Sequence, residues 1–258
     1  MKDGLMKYIR RGVIIAGITL VSLIPFQKIS ADDIYKGIRG PTSWQLDSRV
    51  SYFENEHKSN TTTGNIILKY WKGDEFGLIS FLNLPYKNIN SLGKSSIGVG
   101  DISLGCGPRG RLDNFHWISY VSTTFPTGDD KSKPTLGNGR LDIKTGLLGT
   151  YITSDKRYEL DGIVERNFTG KNDSGLNSSD ETYIGILGGR EITKKLRFVT
   201  GTTCLVKDNG NYITNWRVII RYTVSPKLHF ELAGDKGIDG YNVPKSTGIG
   251  FYMRNNKF

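Results

Sequence analysis

Short stretches in which apolar and polar residues alternate recur throughout this chain, and they restrict its fold more than any other feature. Successive side chains of a β-strand point to opposite faces, so alternation gives a strand one apolar face and one polar face. The segments 44–52, 158–168, 212–222 and 228–235 show this clearly. Twelve stretches have strand character, at 43–54, 64–73, 75–85, 98–108, 114–125, 140–153, 157–168, 181–190, 195–206, 211–223, 227–235 and 247–257. The pattern predicts an all-β fold.

The lengths of the connections distinguish a membrane barrel from a soluble sandwich, since the strands of both alternate. Long and short connections follow one another along the chain, with 207–211 as the exception, and the long ones are 55–63, 86–97, the segment around 126–139, 169–180 and 236–246. Outer-membrane barrels have short periplasmic turns and longer extracellular loops. The sequence therefore predicts an antiparallel transmembrane β-barrel of outer-membrane type with about 12 strands. Ten or fourteen strands are the alternatives, and a soluble secreted β-sandwich is a less favoured fold.

The N-terminus has the layout of a secretory signal peptide. A basic segment, 1–11, precedes an apolar run, 12–26, and Ala31 is placed for cleavage. We expect residues 1–31 to be removed and 32–258 to form a single barrel domain in the outer membrane of a Gram-negative-type bacterium. The leader holds five basic residues and one acid, so 30 of the 35 Lys+Arg and 24 of the 25 Asp+Glu remain, a net charge of +6. This dispersed excess argues against nucleic-acid binding.

Polar and charged residues on the polar faces are the candidates for the barrel lumen. A charge that faces lipid costs several kcal/mol, so these side chains should face water or a partner. The predicted lumen residues are Gln45, Asp47, Arg49, Asp101, Asp142, Lys144, Glu159, Asp161, Glu165, Arg217, Arg221, His229 and Glu231. Because both signs occur, we expect a hydrogen-bonded network in which Asp101 and Asp142 pair with arginines 49, 217 or 221.

The segment FPTGDDKSKPTLGNGRLD, 125–142, is the chemically richest stretch. It lacks the glycine and lysine spacing of a phosphate-binding loop and leads into a strand rather than a helix. It also lacks the acid spacing of an EF-hand, which leaves only weak cation binding at Asp129 and Asp130 as an alternative. Backbone shaping is the favoured role, and the residues assigned to it are Pro126, Thr127, Gly128, Asp129, Gly137 and Gly139. We predict an extracellular loop that helps decide what enters the barrel.

Three neighbouring motifs carry a family resemblance. The segments GVGDISLG (98–105), STTFPTGDD (122–130) and LGNGRLDIKTGLL (136–148) resemble the core of the outer-membrane transporter family named for the meta-pathway of phenol degradation. The length of the chain and its C-terminal phenylalanine are also similar to that family. The resemblance implies an outer-membrane β-barrel and a channel for hydrophobic or aromatic solutes.

The histidines argue against an outer-membrane hydrolase, which would need a histidine close to a serine and an orienting polar group. His57 falls in a loop, and His116 and His229 have inward parity, whereas a lipid-cleaving site should lie at the outer surface. We therefore predict no enzyme activity and no catalytic, cofactor-binding or metal site. Cys106 and Cys204 are expected either to form a disulfide or to be two small buried thiols.

These observations favour a channel or transporter for the passive uptake or binding of a small solute, with hydrophobic or aromatic solutes as the implied class. The expected mechanism is diffusion through a polar-lined, partly occluded lumen. The alternative is a non-conducting structural or adhesive barrel that acts through its extracellular loops. The expected partners are outer-membrane lipid, lipopolysaccharide and the small solute, with no nucleic acid.

Overall fold

The computed structural model describes residues 42–54, 60–73, 75–91, 93–171, 179–225, 228–240 and 245–256. The strands are β1 (Thr42–Glu54), β2 (Asn60–Lys72), β3 (Phe76–Ser91), β4 (Lys94–Val99), β5 (Ile102–Leu112), β6 (Phe115–Phe125), β7 (Asp142–Ile152), β8 (Tyr158–Phe168), β9 (Glu181–Thr193), β10 (Leu196–Lys207), β11 (Tyr212–Ser225), β12 (Leu228–Gly240) and β13 (Lys245–Asn256). Within these ranges no helix is long and apolar enough to cross a membrane. The predicted signal peptide, 1–31, and His57 lie outside the described residues.

The strands close into a barrel. From β5 to β13 each strand pairs antiparallel with the next, and β1 pairs with both β13 and β2. The remaining neighbour, β3, pairs with β2 on one side and with β4 and β5 on the other. Since β4 and β5 lie along different parts of β3, the thirteen strands occupy twelve positions around the barrel. The predicted twelve-stranded antiparallel barrel is confirmed.

A short interruption, Gly100 and Asp101, separates β4 from β5. The Gly100 amide donates to the Pro85 carbonyl at 2.9 Å, which keeps the interruption attached to β3. The prediction of a long connection over 86–97 is wrong, because β3 continues to Ser91 and β4 begins at Lys94. In the barrel, Asn90 of this segment lies on β3, and its Nδ2 donates to Asn60 Oδ1 on β2 at 3.0 Å.

The two ends of the barrel differ. At one end, here called the turn end, the described connections are the short turns 113–114, 153–157 and 194–195. The opposite end, here called the loop end, carries the segment 126–141, which is described throughout and has no strand of its own. This long connection lies at the end opposite the short turns, which agrees with the asymmetry of outer-membrane barrels.

The two faces of the wall also differ, and β8 shows this best. Its outward residues Leu160 and Val164 are 55% and 49% exposed, while the alternate residues Glu159, Asp161 and Glu165 are buried. Apolar side chains outside and charged side chains inside are the arrangement of a membrane barrel, and a soluble sandwich has the reverse. The alternation of apolar and polar residues in the sequence therefore corresponds to an apolar outer wall that is suited to lipid.

The two cysteines are both free thiols. Cys106 is exposed on β5 and Cys204 is partly exposed on β10. The disulfide alternative is wrong, because the cysteines lie on strands that are not neighbours. The buried-thiol alternative is wrong for Cys106, whose parity on β5 is that of the exposed Leu104.

Candidate functional site

The interior of the barrel is the candidate functional site. The structure buries eleven of the thirteen predicted lumen residues. The other two, Lys144 and Arg221, are largely buried, with 11% and 15% of their side chains exposed. The thirteen residues come from β1, β7, β8, β11, β12 and the interruption before β5. That these lumen residues bind a solute stays a prediction.

At the turn end, charged side chains pair across strands. Glu159 on β8 forms an ion pair with Arg197 on β10, and its other carboxylate oxygen lies 3.6 Å from Arg221 on β11. Arg221 Nε also donates to Glu231 on β12 at 3.3 Å. Carboxylates and guanidinium groups inside the barrel thus offset one another's charge, as buried charges require.

Similar pairs occur elsewhere on the inner wall. Asp47 on β1 forms an ion pair with Lys69 on β2. Arg217 Nε donates to Asp235 Oδ1 at 2.6 Å, joining β11 to β12. These pairs agree with the expectation of a network of both signs.

The expected partners of Asp101 and Asp142 are wrong. The Asp101 carboxylate accepts from two backbone amides of segment 126–141, Gly128 at 3.0 Å and Asn138 at 2.8 Å. Asp142 pairs with Arg140, whose Nε lies 2.9 Å from Oδ1, rather than with an arginine of β1 or β11. Alternation identifies the face of a side chain but not its neighbour, which depends on how the strands are staggered around the barrel.

The loop formed by residues 126–141, here called the mouth loop, is bonded to the inner wall. Besides the two bonds to Asp101, the Lys87 ammonium on β3 donates to the Leu136 carbonyl at 2.7 Å. Leu136 is 6% exposed, and a side chain at Gly98 would collide with it, because a Cβ there would lie 2.8 Å from Leu136 Cδ1. The mouth loop therefore lies against the wall of β3 and β4.

Glycine is required where the mouth loop crosses itself. A Cβ on Gly137 would lie 2.5 Å from the Gly128 carbonyl oxygen and 2.6 Å from Asp101 Oδ1. No side chain fits at these distances. Glycine at 128 and 137 therefore lets the two halves of the loop approach each other and the Asp101 carboxylate. Gly139 has a φ of 64°, the left-handed region that glycine favours. The backbone-shaping role predicted for these residues agrees with this geometry.

The charged residues of the mouth loop have different environments. Asp129 accepts from the amides of Lys131 and Ser132 at 2.9 and 3.2 Å and so shapes a local turn. Lys131 and Lys133 are exposed. Among the residues that the structure describes, no group of three or more His, Cys, Asp or Glu side chains is arranged to hold a metal ion.

An apolar layer crosses the interior between charged residues, and the sequence reasoning did not find it. Along β8, Ile163 lies between Asp161 and Glu165, and along β11, Ile219 lies between Arg217 and Arg221. Its members are almost wholly buried and come from nine strands: Ile67, Trp71, Ile79, Phe81, Ile118, Tyr120, Leu148, Ile163, Leu187, Val199, Ile219 and Ala233. The lumen was expected to be polar-lined and partly occluded, and the polar lining is therefore incomplete, because an apolar layer interrupts it.

The packing in this layer is specific. The Phe81 and Tyr120 rings meet edge to face with centroids 5.5 Å apart, a favourable aromatic geometry. The Tyr120 hydroxyl donates to Glu165, which connects the layer to the charged residues on its loop-end side. A signal for the layer exists in the sequence, because two consecutive apolar residues in a strand cannot both face lipid. Pairs such as Leu147–Leu148 and Ile219–Ile220 therefore predict one inward apolar residue each.

A cavity of about 350 Å³ lies between the mouth loop and the inner wall. Its lining comes from β2, β3, the interruption before β5 and the mouth loop: Thr61, Lys87, Ile89, Ser91, Asp101, Pro134, Thr135, Gly137 and Asn138. The cavity brings together one predicted lumen residue, Asp101, and one predicted loop residue, Gly137. Lys87 was not predicted, because its segment read as a loop.

At the turn end, hydrogen bonds change the titration of one exposed carboxyl group. The Thr153 hydroxyl donates to Asp155 Oδ1 at 2.6 Å, and the Arg157 amide donates to the same oxygen at 3.0 Å. Both bonds favour the charged carboxylate, and they hold the pKa of Asp155 below its ordinary value. The Asp155 carboxylate therefore accepts two of the hydrogen bonds that shape the turn 153–157.

These features define a class. A closed antiparallel barrel with an apolar outer wall, charged pairs inside and a loop against its mouth is a β-barrel of the outer-membrane type. The chain belongs to the family described as "Putative MetA-pathway of phenol degradation", whose model matches residues 36–254. The family resemblance of the three motifs is confirmed.

Solved structures with a similar fold include the COG4313 outer membrane channel from Pseudomonas putida F1, at 16% identity and a TM-score of 0.70, over 88% of this chain and 100% of that one. The NanC porin is 14% identical with a TM-score of 0.56, over 81% and 98% of the two chains. The translocator domain of the autotransporter NalP from Neisseria meningitidis is 10% identical with a TM-score of 0.58, over 96% and 98%. A comparison with curated protein sequences finds no match. These similarities show a common fold.

Proposed function

We propose that this protein is an outer-membrane channel through which a small apolar or aromatic solute crosses the outer membrane of a Gram-negative-type bacterium. The observation that carries the proposal is the apolar layer inside the barrel. An ion or a polar solute would lose its hydration there without gaining partners, which is costly. An apolar solute loses little, and apolar constrictions are known to exclude water and ions.

The arrangement along the barrel supports a passage with three stages. A solute meets the mouth loop and the cavity beneath it at the loop end. It then displaces side chains of the apolar layer, where burial stabilises an apolar body by roughly 25 cal/mol for each Å² removed from water. Finally it reaches the ion pairs around Glu159 at the turn end. The loop end would face outside the cell and the turn end would face the periplasm.

The test measures influx of the apolar fluorescent probe phenylnaphthylamine into vesicles whose outer leaflet is lipopolysaccharide. We expect the wild-type barrel to accelerate influx over protein-free vesicles. Leu187→Asn, which introduces a polar group into the layer at a side chain with 0% exposure, should reduce it. Leu187→Met preserves apolar character and volume, so it should retain influx. Heat-modifiable migration on a gel verifies that each variant is folded.

A non-conducting structural or adhesive barrel is the second candidate. The burial of the layer favours it, because side chains such as Ile219 and Leu187, both 0% exposed, leave no water-accessible surface at that level. A folded, inserted wild-type protein that gives no influx above protein-free vesicles would favour this candidate and contradict the channel.

A further inference from the structure

We propose that the cavity under the mouth loop binds a neutral group that both donates and accepts hydrogen bonds, such as a carboxamide or an alcohol, attached to a small apolar body. The inference rests on the proposed function and specifies the solute class recognised at the mouth of the lumen. It follows from the shape of the cavity, the charges that line it and the apolar layer beyond it.

The size and walls of the cavity suit a small ring with one polar substituent. Its volume of about 350 Å³ is at the lower end for ligand pockets, which span roughly 300–1,000 Å³. Ile89 and Pro134 supply apolar surface, and Thr61 and Ser91 supply hydroxyl groups that donate and accept. A mostly apolar body with one oriented polar group matches this lining.

The two charged residues of the lining have opposite signs and attract one another. Lys87 is 5% exposed and Asp101 is 8% exposed, and the Asp101 charge acts on the Lys87 ammonium. A carboxylate solute would gain from Lys87 but be repelled by Asp101, and an ammonium solute would meet the reverse. Each would also lose its hydration. A neutral donor–acceptor group can use both residues without either penalty.

Both charges are also held in place by the mouth loop. Lys87 donates to the Leu136 carbonyl, and Asp101 accepts from the Gly128 and Asn138 amides. These bonds fix the positions of a donor and an acceptor before a solute arrives, which lowers the entropy lost on binding. The apolar layer that follows would again disfavour a solute with a net charge.

The experiment compares three probes of similar size, benzamide, benzoate and benzylammonium, by calorimetry on the folded full-length mature protein in detergent, with protein-free micelles as reference. We expect benzamide to bind about tenfold more tightly than either ion, the factor that a single charge-assisted hydrogen bond can supply. Equal affinities, tighter binding of an ion by the wild type, or no binding of benzamide would overturn the proposal.

Two single substitutions should shift the preference in opposite directions. Lys87→Met leaves Asp101 as the charge of the cavity, so benzylammonium should become the preferred probe. Asp101→Asn leaves Lys87, so benzoate should become preferred. A cavity that merely loosened would lose affinity for all three probes alike, which would contradict the assignment. Lys131→Met removes an exposed charge of the same loop outside the lining and should leave the order unchanged.

The outcomes separate this inference from the proposed function. Benzamide selectivity without phenylnaphthylamine influx would retain the binding site and reject the channel. Influx of phenylnaphthylamine with no selectivity among the three probes would retain the channel and reject the neutral-group site.

Discussion

Two groups of charged residues, one at each end of the lumen, make different kinds of contact. At the turn end, Glu159 binds the side chains Arg197 and Arg221, so charge joins one strand to another. At the loop end, Asp101 and Lys87 bind backbone amides and a backbone carbonyl of the mouth loop. The first arrangement stabilises the wall itself, and the second fixes a segment that has no strand pairing of its own.

This difference implies that removing a charged side chain has different consequences for stability at the two ends. Removal of a charge at the turn end should affect the stability of the whole barrel, because the arginines left behind are largely buried and join two strands, β10 and β11. Removal of a charge at the loop end should affect the mouth loop and leave the wall intact. Substitutions in the apolar layer between the two ends should change both the stability and the permeability of the barrel.

The largest effect is expected at the turn end. Glu159→Ala removes the buried carboxylate that Arg197 and Arg221 both contact. We therefore expect the free energy of unfolding to fall by about 3 kcal/mol. Urea unfolding in lipid vesicles, followed by tryptophan fluorescence, measures this. Glu191→Ala is the control, since its carboxylate lies 3.5 Å from Arg197 but its side chain is 33% exposed. It should cost less than about 1 kcal/mol, and equal losses would contradict the role given to Glu159.

A comparable but smaller loss is expected from the apolar layer. Leu187→Ala removes a wholly buried side chain and should lower the free energy of unfolding by about 2–3 kcal/mol, the lower part of the range for such truncations. Leu160→Ala on the outer face removes contacts with lipid only and should cost less. The same urea titration applies to both. A greater loss for Leu160→Ala would show that the interior is not packed as described.

At the loop end, the expected effect is local. Asp101→Asn weakens two charge-assisted bonds to the mouth loop while preserving the shape of the side chain. Trypsin should then cleave after Lys131 about fivefold faster, corresponding to about 1 kcal/mol of weaker attachment. Global stability should change little. Asp113→Asn, in a short turn at the opposite end, should leave cleavage at the wild-type rate, and an equal acceleration there would refute a specific attachment by Asp101.

The smallest effect is a pH dependence at the turn 153–157. The pKa of Asp155 is lowered chiefly by the Thr153 hydroxyl and also by the Arg157 amide. A lowered pKa in the folded state gives stability that is present above the unfolded pKa, near 4, and is lost as the pH falls through the folded value. Asp155→Asn should therefore lower the melting temperature slightly at pH 7 and by less at about pH 3. An equal change at both pH values would contradict this cause.

The sequence predicted the strands and the direction of their side chains better than the contacts that those side chains make inside the barrel. Residues such as Glu159 and Arg217 alternate with apolar neighbours, so their inward direction follows from the period of a strand. The partner of Asp101 could not be predicted, because alternation does not report strand stagger, and the choice of the Gly128 and Asn138 amides depends on how the mouth loop returns to the wall. Leu187 and Ile219 were missed because each stands beside an outward apolar residue, and its inward direction is apparent only when the parity of the whole strand is followed.

The measurement that most directly tests the central claim is the ion conductance of single barrels in planar bilayers. If the apolar layer closes the lumen to ions, the wild type should show little or no steady conductance, and Phe81→Ala, which opens space beside Tyr120, should raise it severalfold. Leu160→Ala on the outer face should remain at the wild-type level. A large, stable wild-type conductance that Phe81→Ala does not change would contradict the claim that the layer controls passage.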